Sequence, residues 1–157
     1  MENQRYSKEE ILALDISQNC GYYSVHDSGS WCFIESRARN DNKAHKSFRD
    51  TVMGFIQKHN IKLVVAEGVN VGTHFNAVKA LSEFHGILLE ICDELNLPAP
   101  IYINPSTLKK FAVGNGKATK LDMIKACKER YNFHPRNDDE ADAFWLYKYY
   151  YHKYRIT

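Results

Sequence analysis

Ile11-Leu12-Ala13-Leu14-Asp15 decides how this chain is read: four apolar residues run straight into a carboxylate, and Ser17-Gln18-Asn19-Cys20-Gly21 follows as a turn-like stretch. A short aliphatic run of this kind fits a strand buried on both faces. An unpaired carboxylate among apolar neighbours costs several kcal/mol, roughly. Asp15 therefore sits where the strand surfaces, or has a cation to hold. The arrangement then recurs. Lys62-Leu63-Val64-Val65-Ala66-Glu67-Gly68 is a second aliphatic run that ends in a carboxylate.

Working outward, Tyr22–His26 and Trp31–Ile34 are aromatic and β-branched runs separated by Asp27-Ser28-Gly29-Ser30, a turn signal. With Ile11–Leu14 they predict three consecutive antiparallel strands. From Asp41 to His59 the apolar residues Ala44, Phe48, Val52, Phe55 and Ile56 take a helical period. A second helix is predicted over Phe75–Leu95, where Ala77, Leu81, Phe84, Leu88, Ile91 and Leu95 recur in steps of four and three. That heptad-like seam, flanked by Val78 and Ile87, suits either burial in the domain or a partner subunit.

Ile101-Tyr102-Ile103 reads as a further strand, and Asn104-Pro105-Ser106 as the start of a short helix through Lys110. A basic glycine loop, Val113–Lys117, leads to a helix over Thr119–Tyr131. Asn137 with Glu140 three residues on forms a capping-box pattern that opens a last helix from Asp138 to about Tyr150. Its aromatic run Phe144–Tyr151 reads as core in its helical half, with only Tyr151 to Arg155 in a position to reach a ligand. The expected fold is α/β, a mixed five-stranded sheet flanked by helices, with residues 1–10 as a tail and 11–157 as a single domain.

The 157 residues, 44% hydrophobic and 25% charged, are ordinary for a soluble globular domain, and no apolar run is long enough to span a bilayer. Four cysteines without a CxxC pair read as free thiols in a reducing compartment, so a cytoplasmic location is expected. The histidines lack the spacing of a zinc site. Net charge is +2, yet residues 104–136 carry eight basic residues against Asp122 and Glu129, a local +6 that leaves −4 for the rest. Such a face suits a polyanion.

A third acidic group, Asp138-Asp139-Glu140-Ala141-Asp142, opens the last helix. Asp139 and Asp142 are three apart, Asp138 and Asp142 four apart, so either pair shares a helix face. Acids in a first turn also complement the helix dipole, although Asp142 lies beyond the most favourable positions. If the strands ending in Asp15 and Glu67 are neighbours, their carboxylates emerge at one sheet edge. Converging carboxylates without a basic partner are tolerated where they hold hard divalent cations through oxygen. Two such ions about 4 Å apart activate a water and stabilise the leaving oxygen of a phosphodiester, and the basic segment beside them suits a nucleic-acid backbone.

Ile11–Asp15 with Asn19-Cys20-Gly21-Tyr22, then Val65-Ala66-Glu67, then Pro105 to Lys120, then Asp139-Glu140-Ala141-Asp142-Ala143, resemble RuvC-type Holliday junction resolvases of the RNase H-like superfamily. The likeness spans about residues 11–150. It implies a homodimeric, Mg²⁺-dependent endonuclease, with Mn²⁺ a plausible substitute, that nicks opposed strands of a four-way DNA junction. By position it implies Asp15, Glu67, Asp139 and Asp142 as metal-binding catalytic carboxylates. Lys109 and Lys120 match the DNA-contacting lysines, Lys110 and Lys117 belong to the same basic segment, and helix Phe75–Leu95 matches the dimerisation helix. Two positions depart from the pattern: Ile16-Ser17 stand where the family has Pro-Gly, and Asn70 stands where it has an aromatic that stacks on bases, with Phe75 nearby but out of register. Branched or hybrid nucleic acids of other kinds, or DNA binding without catalysis, are the rival expectations.

Overall fold

The computed structural model describes residues 5–17, 19–33, 41–69 and 75–154. Ile34, Asn70 and Arg155 lie outside the described residues, as does the side chain of Ala77. Strands β1 (Ile11–Asp15), β2 (Asn19–Tyr23) and β3 (Ser28–Cys32) precede helix α1 (Asp41–His59) and strand β4 (Leu63–Glu67). Helix α2 (Phe75–Glu94), strand β5 (Ile101–Ile103) and helices α3 (Pro105–Val113), α4 (Lys120–Tyr131) and α5 (Asp138–Tyr154) complete the order.

One sheet runs β3-β2-β1-β4-β5. The first three strands are antiparallel, and β4 and β5 lie parallel to β1, as the aliphatic runs predict. The alternation of a strand sorts its side chains to two faces. Ile11, Ala13, Leu63 and Val65 join a core with Leu108, Met123, Phe144 and Trp145 from α3, α4 and α5. Leu12, Leu14, Val64 and Ala66 join the opposite core with Phe48 and Val52 of α1 and Phe84, Leu88 and Ile91 of α2. The result is three layers, helices on both faces of a mixed sheet.

The α2 seam is thereby accounted for. Phe84, Leu88 and Ile91 are buried in the chain's own core, with Leu81 and Leu95 packed at its margin. Phe75 and Leu89 remain exposed on the outer side. Likewise Phe144 to Tyr147 and Tyr150 of α5 are buried, and the Trp145 indole N–H donates to the Met123 carbonyl at 3.0 Å. Ahead of β1, Tyr6 is buried and the Tyr147 hydroxyl donates to the Lys8 carbonyl at 2.9 Å.

The hairpin sits earlier than the aromatic runs suggest. Its turn is 24–27, not 27–30, because polar side chains there satisfy the backbone locally. The Ser24 hydroxyl accepts from the His26 and Asp27 amides at 3.0 and 3.2 Å, and the Asp27 carboxylate accepts from the Ser28 amide at 2.9 Å. Strand β2 consequently begins at Asn19 and takes in Gly21, which looked like turn. Tyr22 then stacks on Trp31 with ring centroids 3.8 Å apart. Helix α3 runs past Lys110 to Val113, where Gly114 closes it at φ 88°, a left-handed conformation that suits glycine. Helix α5 likewise continues past Tyr150 to Tyr154.

Candidate metal centre and nucleic-acid face

Leu14 pairs with Ala66 in the parallel ladder, so the next residues along, Asp15 and Glu67, leave adjacent strands side by side. Both strands are apolar until that point, which pushes their first polar side chains out at the same edge. Helix α5 brings Asp142 to them from one face. Carboxylate oxygens of Asp15, Glu67 and Asp142 lie within 4.8 Å of one another, each side chain half-buried.

Helix α5 comes this close because of Gly21. Gly21 pairs with Asp15 across β1 and β2, and a Cβ there would stand 1.9 Å from the Asp139 carbonyl oxygen. Only a residue without a side chain lets the first turn of α5 rest on the strand. The rotation of the helix is set by polar ties to β3. Buried Glu140 accepts from the Ser28 hydroxyl at 2.8 Å and the Arg136 amide at 2.7 Å. Asn137 caps the helix by accepting from the Glu140 amide at 2.9 Å, and its amide group donates to the Ser30 hydroxyl at 2.9 Å. The capping residue is the one the sequence predicts, but the Glu140 carboxylate bonds the Arg136 amide and the hairpin rather than closing a reciprocal box.

Crowded acids hold protons. Burial, and then the charges of Asp142 and Glu67, push Asp15 well above the usual carboxylate range. Burial and the charges of Glu67, Asp138 and Asp139 raise Asp142 to about 7. Glu67 is raised by burial, against an opposing hydrogen bond from Asp15 and the nearby Lys109 charge. The interaction between the two carboxylates raises Asp15 and lowers Glu67. Asp139 is raised by burial and by Asp138, with Lys120 opposing. Carboxylates whose proton affinity is raised by crowding and burial suit a hard divalent cation in the proton's place.

The structure brings together three of the four predicted carboxylates. Asp139 acts on Asp15 through space but stands outside the trio, and its backbone rests on Gly21. Asp138 also stands outside the trio, in an ion pair with Lys120 at 3.4 Å. Lys109 is close enough to lower Glu67 and Asp142, so the two lysines flank the acids from α3 and from the start of α4. Lys110 and Lys117 are exposed on the same segment. Gly21 and Glu140 do not stand out in the sequence as parts of the site. A glycine inside a strand was the available signal for the first, since it marks close backbone approach. For Glu140 there was none beyond its capping position.

A cavity of about 580 Å³ opens from Gly68, directly after Glu67, and is bordered by Asn104, Ser106, Lys109 and Gly116. Arg130 steadies this region, donating to the Phe111 and Ala112 carbonyls at 2.9 and 2.8 Å and lying over the Trp145 ring.

No protein-family model matches the sequence, and a search of curated proteins returns no match. Solved structures do match. Thermus thermophilus RuvC in complex with a Holliday junction substrate aligns with TM-score 0.69 at 14% identity, over 87% of this chain and 88% of that one. A second structure of the same protein aligns with TM-score 0.68 at 14% identity, covering 91% of this chain and 95% of that one. The yeast mitochondrial Holliday junction resolvase Ydc2 aligns with TM-score 0.65 at 12% identity, over 93% of this chain and 79% of that one. The element order, the mixed sheet and these alignments together make this the RNase H-like fold of RuvC-type resolvases.

Proposed function

We propose that the chain is a divalent-metal-dependent endodeoxyribonuclease that resolves four-way DNA junctions by paired nicks. The observation that carries this reading is the trio of Asp15, Glu67 and Asp142, three strand-end and helix carboxylates within 4.8 Å of one another and flanked by lysines. Its ligands would be Asp15, Glu67 and Asp142, with Asp139 near enough to serve a second ion. Mg²⁺ is the expected metal and Mn²⁺ a substitute. When bound, the ions supply an activated water and charge stabilisation for the phosphodiester.

The protein's own contribution is positional. Asp15 would be the central ligand, with Glu67 beside it on the neighbouring strand and Asp142 on α5. Lys109 offsets the negative charge of that pair and presents a cation to the backbone of the bound strand. Lys110, Lys117 and Lys120 extend the cationic face and carry the sequence-independent part of binding. Two nicks in one junction call for two sites, so the active form is a homodimer, joined through the outer side of α2 where Phe75 and Leu89 are exposed. Cys20, Cys92 and Cys127 are buried thiols, which fits a reducing cytoplasm.

The test is cleavage of a synthetic four-way junction with and without Mg²⁺, run beside flaps and RNA–DNA hybrids. Asp15→Asn is expected to lower the cleavage rate by roughly a thousandfold or more, since the metal's share of transition-state stabilisation is several kcal/mol. Junction binding should stay measurable. Unimpaired cleavage by this variant would sink the assignment, and faster cutting of flaps or hybrids would move the substrate within the same chemistry.

A further inference from the structure

Among the described residues strand β5 is the edge of the sheet, paired with β4, and two cavities meet along it. The first is the one that opens after Glu67. The second, of about 210 Å³, is bordered by Tyr102, Asn104, Thr107, Tyr149, Lys153 and Tyr154. Tyr102, Ile103 and Asn104 border both, so a continuous surface leads from the acid cluster past Lys109 to a recess between β5 and the end of α5.

The chemistry of the recess is specific. Three phenol rings and one ammonium line it, with no carboxylate among its lining residues. Tyr102 and Tyr154 are each 43% exposed, well above what core packing requires. Each ring is held by a neighbour: Tyr154 stacks on Tyr150 at 4.5 Å, Tyr149 meets Phe111 edge-on at 5.3 Å, and Tyr102 rests against His85 at 5.3 Å. The Lys153 ammonium lies 5.8 Å from the Tyr149 ring centre and 5.4 Å from that of Tyr154. Exposed rings held in place beside a cation suit a flat π-system that carries a phosphate. A duplex offers no free base face and is too large for a recess of about 210 Å³, which favours an unpaired base. Tyr154 lies about 18 Å along α5 from Asp142 at 1.5 Å per residue, a reach of a few nucleotides.

We propose that the recess between β5 and the end of α5 is a stacking subsite for one unpaired base of the DNA strand that leaves the acid cluster along the β5 edge. The subsite rests on the nuclease reading above and adds a place where an opened strand is held. It also offers an aromatic contact that Asn70 does not supply.

A fluorescence titration tests it, with the full chain and a four-way junction carrying single 2-aminopurine replacements at successive positions from the crossover, without divalent ions so that nothing is cut. One position is expected to be quenched on binding. Tyr154→Ala and Lys153→Gln should each remove the quench and weaken junction binding roughly fivefold, the lower end of what stacking one base on a ring contributes. Tyr154→Phe, which keeps the ring, should retain it. Binding without a quench at any position, or a quench that survives Tyr154→Ala, overturns the subsite and leaves the nuclease reading standing. A chain that neither binds a junction nor cuts one with Mg²⁺ overturns the nuclease reading, and the subsite with it.

Discussion

On one face of the sheet, α1 and α2 rest on Leu12, Leu14, Val64 and Ala66 through aliphatic and phenyl side chains, and polar ties between the two helices include the pairs of Arg49 with Glu90 and Glu94 and of His45 with Glu83. On the other face, α5 lies over β1 and β2 with a large aromatic core, but its first turn is held by directional polar bonds to the hairpin and by backbone contact at Gly21. The first face has chemistry that tolerates small shifts, since apolar contact has no preferred angle. The second has chemistry that does not, because Asp142 must reach Asp15 and Glu67 within a few ångströms. Stability is spread over both faces, whereas the geometry of the acid cluster depends on one of them.

Gly21→Ala attacks the second face directly and should have the largest effect on the site. The added methyl meets the Asp139 carbonyl, so α5 must lift or turn. Mn²⁺ affinity measured by calorimetry is expected to fall by about tenfold or more, the range seen when groups that support metal ligands are lost. An unchanged affinity would mean that α5 is free to re-seat and that the glycine is incidental. Leu88→Ala attacks the first face. Removing a fully buried leucine costs about 2–5 kcal/mol in denaturant unfolding, with metal affinity retained at temperatures where the chain stays folded. A matched loss of metal affinity would erase the distinction between the faces.

The acids predict a pH dependence of unusual sign. Asp142 is raised to about 7, and Asp15 is raised as well. Above the ordinary carboxylate range the metal-free folded chain therefore binds protons that the unfolded chain has released. Stability contributed by these protons is present at low pH and is lost as pH rises through the folded-state values. The melting temperature of metal-free protein should fall between about pH 5 and pH 8, and Mg²⁺ should restore it at the upper end by replacing the protons. A melting temperature that rises across this window without metal would contradict the crowding of the trio. The smallest effect belongs to Lys120. Its side chain is exposed and its partner Asp138 is half-buried, so Lys120→Ala should change stability by less than about 1 kcal/mol. Junction affinity should fall alike for all sequences, and the dependence on salt should flatten by about one phosphate's worth.

Much of this fold is legible from the chain because the signals are physical and local. Aliphatic runs that end in Asp15 and Glu67 mark buried strands and place their carboxylates at one edge. The periods of α1 and α2 show on their own, and so does the Asn137 cap. The hairpin turn was displaced because the Ser24 hydroxyl and the Asp27 carboxylate satisfy the backbone where aromatic residues suggested strand. Which acids meet Asp15 was not legible either. Spacing puts Asp139 and Asp142, or Asp138 and Asp142, on one helix face. The rotation that chooses among them is set by bonds from Glu140 and Asn137 to residues more than a hundred positions away. The seam on α2 shows the same limit: periodicity reveals an apolar face without saying what covers it.

The docking of α5 also bears on when the site comes into being. Asp15 and Glu67 belong to the first half of the chain and Asp142 to its last helix, so the trio encloses most of the sequence in one loop. Contacts of such long range form late, after the entropy of closing the loop has been met by the rest of the core. During synthesis, the sheet and its first two helices can assemble while the acid cluster still lacks a wall. A growing or half-folded chain therefore has Asp15 and Glu67 without Asp142, and the trio is complete only once the last helix has docked.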